Sequence, residues 1–173
     1  MSNLRESNRR NRVGIPPDRP HLTMATVFLD TPDNDSIPAV TVIPVLQYTN
    51  VAAAVQWLCA AFGFSERLRI GTHRVQLNVG SGAVVVADRP SEAPRPSGQS
   101  VMVRVHDVDA LCKRASELGA DILRTPESHP YGERQCTVRD VGGHVWTFSQ
   151  SIANVAPASW GGEMIAPRGT SGT

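Results

Sequence analysis

The sequence predicts an α+β fold made of two βαβββ modules, and three observations carry that prediction. Two helix starts, at Asn50 and Asp107, are spaced 57 residues apart. The glycines placed to end those helices, Gly63 and Gly119, are spaced 56 apart. Each helix follows one short apolar strand and precedes three more, so one unit occurs twice. One unit alone would leave an exposed sheet face and open edges. Two units side by side can build one curved mixed sheet, with helices covering one face and a cavity on the other.

The elements follow in order. The β-branched, apolar stretch Val40 to Tyr48 predicts the first strand. Asn50 is the helix N-cap, and Val51, Val55, Leu58, Cys59 and Phe62 recur at helical spacing on one face. Strands are predicted at Ser65 to Ile70, His73 to Val79 and Ala83 to Asp88, separated by Gly71 and the Gly80-Ser81-Gly82 turn. A linker rich in Pro and Gly, Arg89 to Gln99, ends the first module. The second opens with a strand from Ser100 to Val105 and an N-cap at Asp107. Val108, Leu111, Cys112, Ala115 and Leu118 form its helix face. Strands from Ala120 to Arg124, Arg134 to Arg139 and His144 to Ser149 complete it. The expected organisation is a flexible N-terminal tail over 1–38, a paired domain over 39–152 and a C-terminal tail over 153–173. The modules themselves span about 40–89 and 100–152.

Composition narrows the function classes. The 173 residues are 40% apolar and 19% charged, which suits a folded domain rather than a disordered chain. Seventeen basic against 16 acidic residues leave a net charge of +1, so no overall field points to nucleic acid or an anionic membrane surface. Arg5, Arg9, Arg10, Arg12 and Arg19 make the first residues basic, which reads as a solvated arm. No apolar run reaches the roughly 20 residues that cross a bilayer. Cys59, Cys112 and Cys136 are odd in number and form no C-x-x-C pair, so a reducing cytoplasm is expected. No P-loop, dinucleotide fingerprint or G-x-S-x-G elbow is present, and no cofactor is expected.

Three stretches resemble the vicinal-oxygen-chelate superfamily, which includes glyoxalase I, bleomycin-resistance proteins and extradiol dioxygenases. They are IPVLQYTNVAAAVQWLCAAFGF (Ile43 to Phe64), VRVHDVDALCKRASELGADIL (Val103 to Leu123) and PYGERQCTVRDVGGHVWTFSQSI (Pro130 to Ile152). The third is the most specific, being similar to a recurrent G-E-R…D-P-x-G-H-x-W-x-F string with Val141 in place of Pro. The resemblance implies the glyoxalase/bleomycin-resistance fold, a small-molecule partner and a homodimer.

It also implies where a metal would sit in the metal-dependent members. Each repeat there supplies a His or Gln near the start of its first strand and a Glu in its last. The corresponding positions here are Ile43 and Ser100, and Val86 and Thr147. Ile and Val have no lone pair to give, and Ser and Thr are weak ligands for a divalent ion. A slip of one residue brings in Pro44, Val101, Trp146 and Val85 or Ala87, which are no better. The expectation is a metal-free pocket.

Strand alternation from those positions predicts the cavity lining. It selects Ile43, Val45 and Gln47, then Ser100, Met102 and Arg104. In the last strands it selects Val84, Val86 and Asp88, and Val145, Thr147 and Ser149. Arg74, Gln76 and Asn78 share one face of their strand, as do Gln135 and Thr137 of theirs. The candidate ligand-binding set is therefore Gln47, Arg74, Gln76, Met102, Arg104, Tyr131, Gln135 and Thr147. Arg74 and Arg104 could grip a carboxylate or phosphate, or pair with Asp88, Glu133 or solvent. Glu133 is the candidate general base, against a solvated loop carboxylate. His144 is the candidate acid or base, against a histidine hydrogen-bonded to backbone beside its turn. Two functions fit: a metal-independent binder that sequesters a drug or an aromatic or anionic metabolite, and a metal-dependent isomerase or lyase resembling glyoxalase I.

Overall fold

The computed structural model describes residues 34–94 and 97–165. The described residues from Asp35 onward form one compact unit. The predicted tail over 1–38 falls outside the described residues as far as residue 33, and the C-terminal tail does so from residue 166.

The first module runs β1 (Val45–Tyr48), α1 (Val51–Phe62), β2 (Ser65–Ile70), β3 (Arg74–Val79) and β4 (Gly82–Asp88). The second runs β5 (Ser100–Arg104), α2 (Val108–Glu117), β6 (Asp121–Ser128), β7 (Glu133–Arg139) and β8 (Val145–Ser151). The strands form two four-stranded mixed sheets, one per module, ordered β1-β4-β3-β2 and β5-β8-β7-β6. In each, the first strand pairs parallel with the last and the remaining pairs are antiparallel.

The helix starts are those the sequence marks. Asn50 and Asp107 sit in extended backbone, and their side chains accept from the amides of Ala53 and Ala110. Gly63 takes a φ of 74°, the left-handed conformation that ends α1 with its amide on the Cys59 carbonyl.

The two helices also cap each other. Trp57 Nε1 donates to the Leu118 carbonyl at 2.7 Å, and Arg114 Nε donates to the Ala61 carbonyl at 3.1 Å. Trp57 and Arg114 occupy the same place in the repeat, as do Ala61 and Leu118, since the caps Asn50 and Asp107 set the offset. Carbonyls in the last turn of a helix lack intrahelical donors, and each helix here receives one from its repeat mate. This explains why Trp57 lies off the apolar stripe of α1.

The core is shared by both modules. Leu46, Tyr48, Val84 and Val86 of the first join Val108, Trp146 and Phe148 of the second in one buried cluster. Phe62 is its aromatic centre, edge-on to Trp146 and Phe148 with ring centroids 5.5 and 4.8 Å away.

One register differs from the sequence expectation. Val84 and Val86 were expected on the cavity side, yet they are 2% and 0% exposed in the core beneath α1. Val45 pairs with Val85 and Leu46 with Val86, so Ala83, Val85 and Ala87 share the outer face with Val45. Asp88 likewise pairs with Tyr48, on the opposite face. The run GAVVVAD is apolar on both faces and carries no alternation to fix its phase. In the second module the expected phase holds: Ser100, Met102 and Arg104 pair with Val145, Thr147 and Ser149.

A buried carboxylate joins the modules. Asp140 accepts from the Tyr48 hydroxyl at 2.5 Å and from Trp146 Nε1, the Gly142 amide and the His144 amide, each at 2.9 Å. Gly142 is required by close approach, because a Cβ there would lie 2.3 Å from the Tyr48 ring. Gly142→Ala is expected to lower stability by about 1–3 kcal/mol through overpacking, read as a lower midpoint in urea denaturation with an unchanged slope.

Candidate functional site

The outer face of the second sheet gathers most of the predicted site. Register places Met102, Thr147 and Thr137 in one row across β5, β8 and β7, and Arg104, Ser149 and Gln135 in the next. Glu133 and Ser151 form a third row. The polar members are wired together. Arg104 Nη2 donates to Ser151 Oγ at 3.0 Å, and Ser151 donates to Glu133 Oε1. Ser149 Oγ donates to Glu133 Oε2 at 2.6 Å. Gln135 Nε2 donates to Ser149 Oγ at 3.0 Å, and the Tyr131 hydroxyl donates to Gln135 Oε1 at 3.2 Å.

The loop before β7 adds aromatic surface. His129 stacks on Tyr131 at 5.0 Å with an interplanar angle of 3°, and Trp160 meets Tyr131 edge-on at 5.7 Å. Trp160 closes a short 3-10 turn, Pro157–Trp160, in the segment expected to be a tail. The chain after β8 is held back by amides of Ile152 and Ala153 donating to the Gly132 carbonyl. An open recess of about 550 Å³ results, lined by Arg104, Tyr131, Glu133 and Ser151 with residues 152–155.

Glu133 is a held carboxylate. Hydrogen bonds from Ser149 and then Ser151, with the nearby Arg104 charge, keep its pKa below the ordinary range. A carboxylate so stabilised accepts and orients polar groups well and takes a proton poorly.

Four predicted residues lie elsewhere. His144 is 8% exposed; its Nε2 contacts the Gln47 carbonyl at 2.9 Å and its ring packs 4.7 Å from Tyr48. That is the backbone-bonded alternative, and it makes His144 part of the junction between modules. Gln76 is 4% exposed, donating to the Ser36 carbonyl at 2.8 Å and accepting from Arg67 Nη1 at 2.6 Å. Arg67 also donates to the Asp35 carbonyl, so residues 35 and 36 are bound by side chains of the first sheet. Arg74 stands on that sheet's outer face, opposite Ala87. Gln47 lines a crevice between the modules.

Ser149 and Ser151 are the residues that hold Glu133. Alternation in β8 predicts the face of Ser149 but no role for it, and it does not single out Ser151. Their task depends on which residues of β7 lie opposite, which alternation within β8 cannot show. The thiols are core groups: Cys112 and Cys136 are buried, and Cys59 packs against the core. Burial, followed by the neighbouring Cys112, pushes the Cys136 thiol up to about 12.

With the corrected register, the positions corresponding to the family's metal ligands are Ile43, Val85, Ser100 and Thr147. They offer two hydroxyls and no carboxylate, imidazole or thiolate, and do not fit a divalent ion. Among the described residues, no group of three or more His, Cys, Asp or Glu side chains is placed to hold a metal.

The sequence profile of the Glyoxalase/Bleomycin resistance protein/Dioxygenase superfamily matches residues 39–148. The chain belongs to this superfamily. TioX from Micromonospora sp. ML1 is 37% identical, with 63% of this chain and 96% of TioX covered and a TM-score of 0.54. A glyoxalase/bleomycin resistance protein/dioxygenase family enzyme from Burkholderia phytofirmans PsJN is 16% identical, covering 63% and 96%, with a TM-score of 0.56. Lactoylglutathione lyase from Agrobacterium tumefaciens is 19% identical, covering 65% and 94%, with a TM-score of 0.51. The last two likenesses concern the fold. Among curated proteins none matches the chain.

The Glu133 geometry has a pH consequence. Its folded-state pKa lies below its unfolded value, so its contribution to stability is present above the unfolded pKa, near 4.3, and is lost as pH falls through the folded one. Ser149→Ala is expected to move the Glu133 side-chain titration, followed by carbon-detected NMR, upward toward the ordinary glutamate value.

Proposed function

We propose that the protein is a metal-independent small-molecule binding protein. It captures an aromatic or anionic ligand on the outer face of the second sheet, as a homodimer in the cytoplasm. The observation that carries this reading is the network from Arg104 through Ser151, Glu133 and Ser149 to Gln135 and Tyr131. It is a preorganised row of donors and acceptors beside an aromatic surface, the usual make-up of a small-molecule site. Arg104 offers charge-assisted donors, Glu133 accepts from ligand hydroxyl or amine groups, and Tyr131 with Trp160 provides a stacking surface.

Binding is favoured over turnover by the chemistry of the same groups. Glu133 is held ionised by its neighbours, and the His144 Nε2 is engaged with a backbone carbonyl. The dimer is supported by Val42, Val45 and Met102, which are 77%, 51% and 63% exposed. Three free cysteines accord with a reducing compartment. No helix among the described residues is long and apolar enough to cross a membrane.

The test is calorimetric titration with a panel of aromatic acids and aromatic antibiotics, before and after treatment with a chelator. Binding should survive chelation, and Arg104→Gln should weaken an anionic ligand about tenfold or more, the loss of one charge-assisted hydrogen bond. The competing isomerase or lyase reading wins if purified protein holds about one divalent ion per chain and turns over a glyoxalase-type substrate. That activity would be lost on chelation and restored by nickel or zinc.

A further inference from the structure

The outer face of the first sheet holds a segment of its own chain. A row of side chains crosses that face from Leu68 on β2 through Gln76 on β3 to Val85 on β4. Gln76 Nε2 donates to the Ser36 carbonyl at 2.8 Å, and Arg67 Nη2 donates to the Asp35 carbonyl at 2.9 Å. Arg67 Nη1 also donates to Gln76 Oε1 at 2.6 Å, which holds the two donors in fixed relation. Pro38 is buried between exposed neighbours, Ile37 and Ala39. Its carbonyl accepts from the Val40 amide at 2.8 Å, closing a turn behind the segment.

These contacts recognise a peptide rather than a particular side chain. The acceptors are main-chain carbonyls of two consecutive residues, groups that every peptide carries. The buried ring is a proline, whose fixed φ lowers the entropy lost on docking. The second sheet differs, because Arg104, Gln135 and Tyr131 donate to other side chains there.

The segment is also built to detach. Asp35, Ser36 and Ile37 are exposed, and the Arg67 hydrogen bond to Asp35 lies at the surface. Exposed segments of this kind open locally at low cost. On opening, Gln76 and Arg67 lose their carbonyl acceptors beside the apolar Leu68 and Val85. Donors left so are satisfied best by another pair of carbonyls.

We propose that the outer face of the first sheet is a docking site for an extended, proline-containing peptide, filled in cis by Asp35–Pro38 as a detachable strap. Tethering gives the strap an effective concentration of roughly millimolar order, so a peptide in trans competes well only when the strap is loosened. The site is separate from the network on the second sheet and stands whether or not that network binds a ligand.

The probe is the chain's own segment, a fluorescein-labelled peptide of residues Asn34 to Val40, followed by anisotropy against the full chain. The unaltered chain should bind it weakly. Pro38→Gly removes the buried ring and frees the strap's backbone, and should bind the peptide at least tenfold more tightly. Adding Arg67→Ala or Gln76→Leu to Pro38→Gly should abolish that gain. A peptide with Gly in place of its Pro should bind Pro38→Gly more weakly. Arg67 is exposed, so Arg67→Ala alone tests the strap without touching the core. It should speed hydrogen exchange at the Val40 amide. Melting temperatures equal to that of the unaltered chain would show that the variants fold. The proposal is overturned if folded Pro38→Gly binds the peptide no more tightly than the unaltered chain. It is equally overturned if Arg67→Ala leaves both the gain and the Val40 exchange rate unchanged, or if the Pro and Gly peptides bind alike.

Discussion

The carboxylate of Asp140 ties the first module to the strand at the centre of the second sheet. It sits at 5% exposure and receives four hydrogen bonds, from two side chains and two backbone amides. A buried carboxylate is costly unless its oxygens are satisfied, and here the satisfaction is spread over both modules. Tyr48 ends β1, whereas Trp146 belongs to β8. The amides of Gly142 and His144 shape the turn that feeds β8. Burial, then the adjacent Asp140, raises the Tyr48 pKa, so the hydroxyl stays protonated and donates. His144 adds a second link through the Gln47 carbonyl. Together these contacts fix where β8 starts relative to β1. That in turn fixes the crevice between the modules, while the pairing of β8 with β5 and β7 sets the rows of side chains on the second sheet.

The repeat is symmetric in its scaffold and asymmetric in its chemistry. The helices cap one another through the same repeat positions, Trp57 with Leu118 and Arg114 with Ala61. The outer faces differ. The first sheet uses Gln76 and Arg67 on the backbone of residues 35 and 36, and Ala83, Val85 and Ala87 are buried. The second presents Arg104, Glu133, Gln135 and Thr147, none of them fully buried, beside Tyr131. Duplication accounts for the shared core. Divergence of the outer faces leaves the second module with the groups that can meet a ligand.

The fold was legible because its signals are local. Asn50, Gly63 and Asp107 act within a turn of their own positions, and SVMVR alternates clearly enough to fix its face. The run GAVVVAD does not alternate, so its sequence leaves open which face Val84 and Val86 take. The same rule governs the site. Arg104, Glu133, Gln135 and Tyr131 could be found from alternation and loop position. Gln76 and His144 could not be judged, because their partners Ser36 and Gln47 lie 40 and 97 residues away. The D-V-G-G-H-V-W string was visible, yet its meaning rests on Tyr48, 92 residues from Asp140. Sequence reveals which face a side chain takes more readily than which distant group it meets.

The most direct measurement is a double-mutant cycle between Tyr48→Phe and Asp140→Asn, by chemical denaturation of both single variants and the pair. If the buried carboxylate couples the modules, the two losses will not add, and the interaction will amount to about 1 kcal/mol or more. Strictly additive losses, within about 0.3–0.5 kcal/mol, would mean that Tyr48 and Asp140 act independently, contradicting the account.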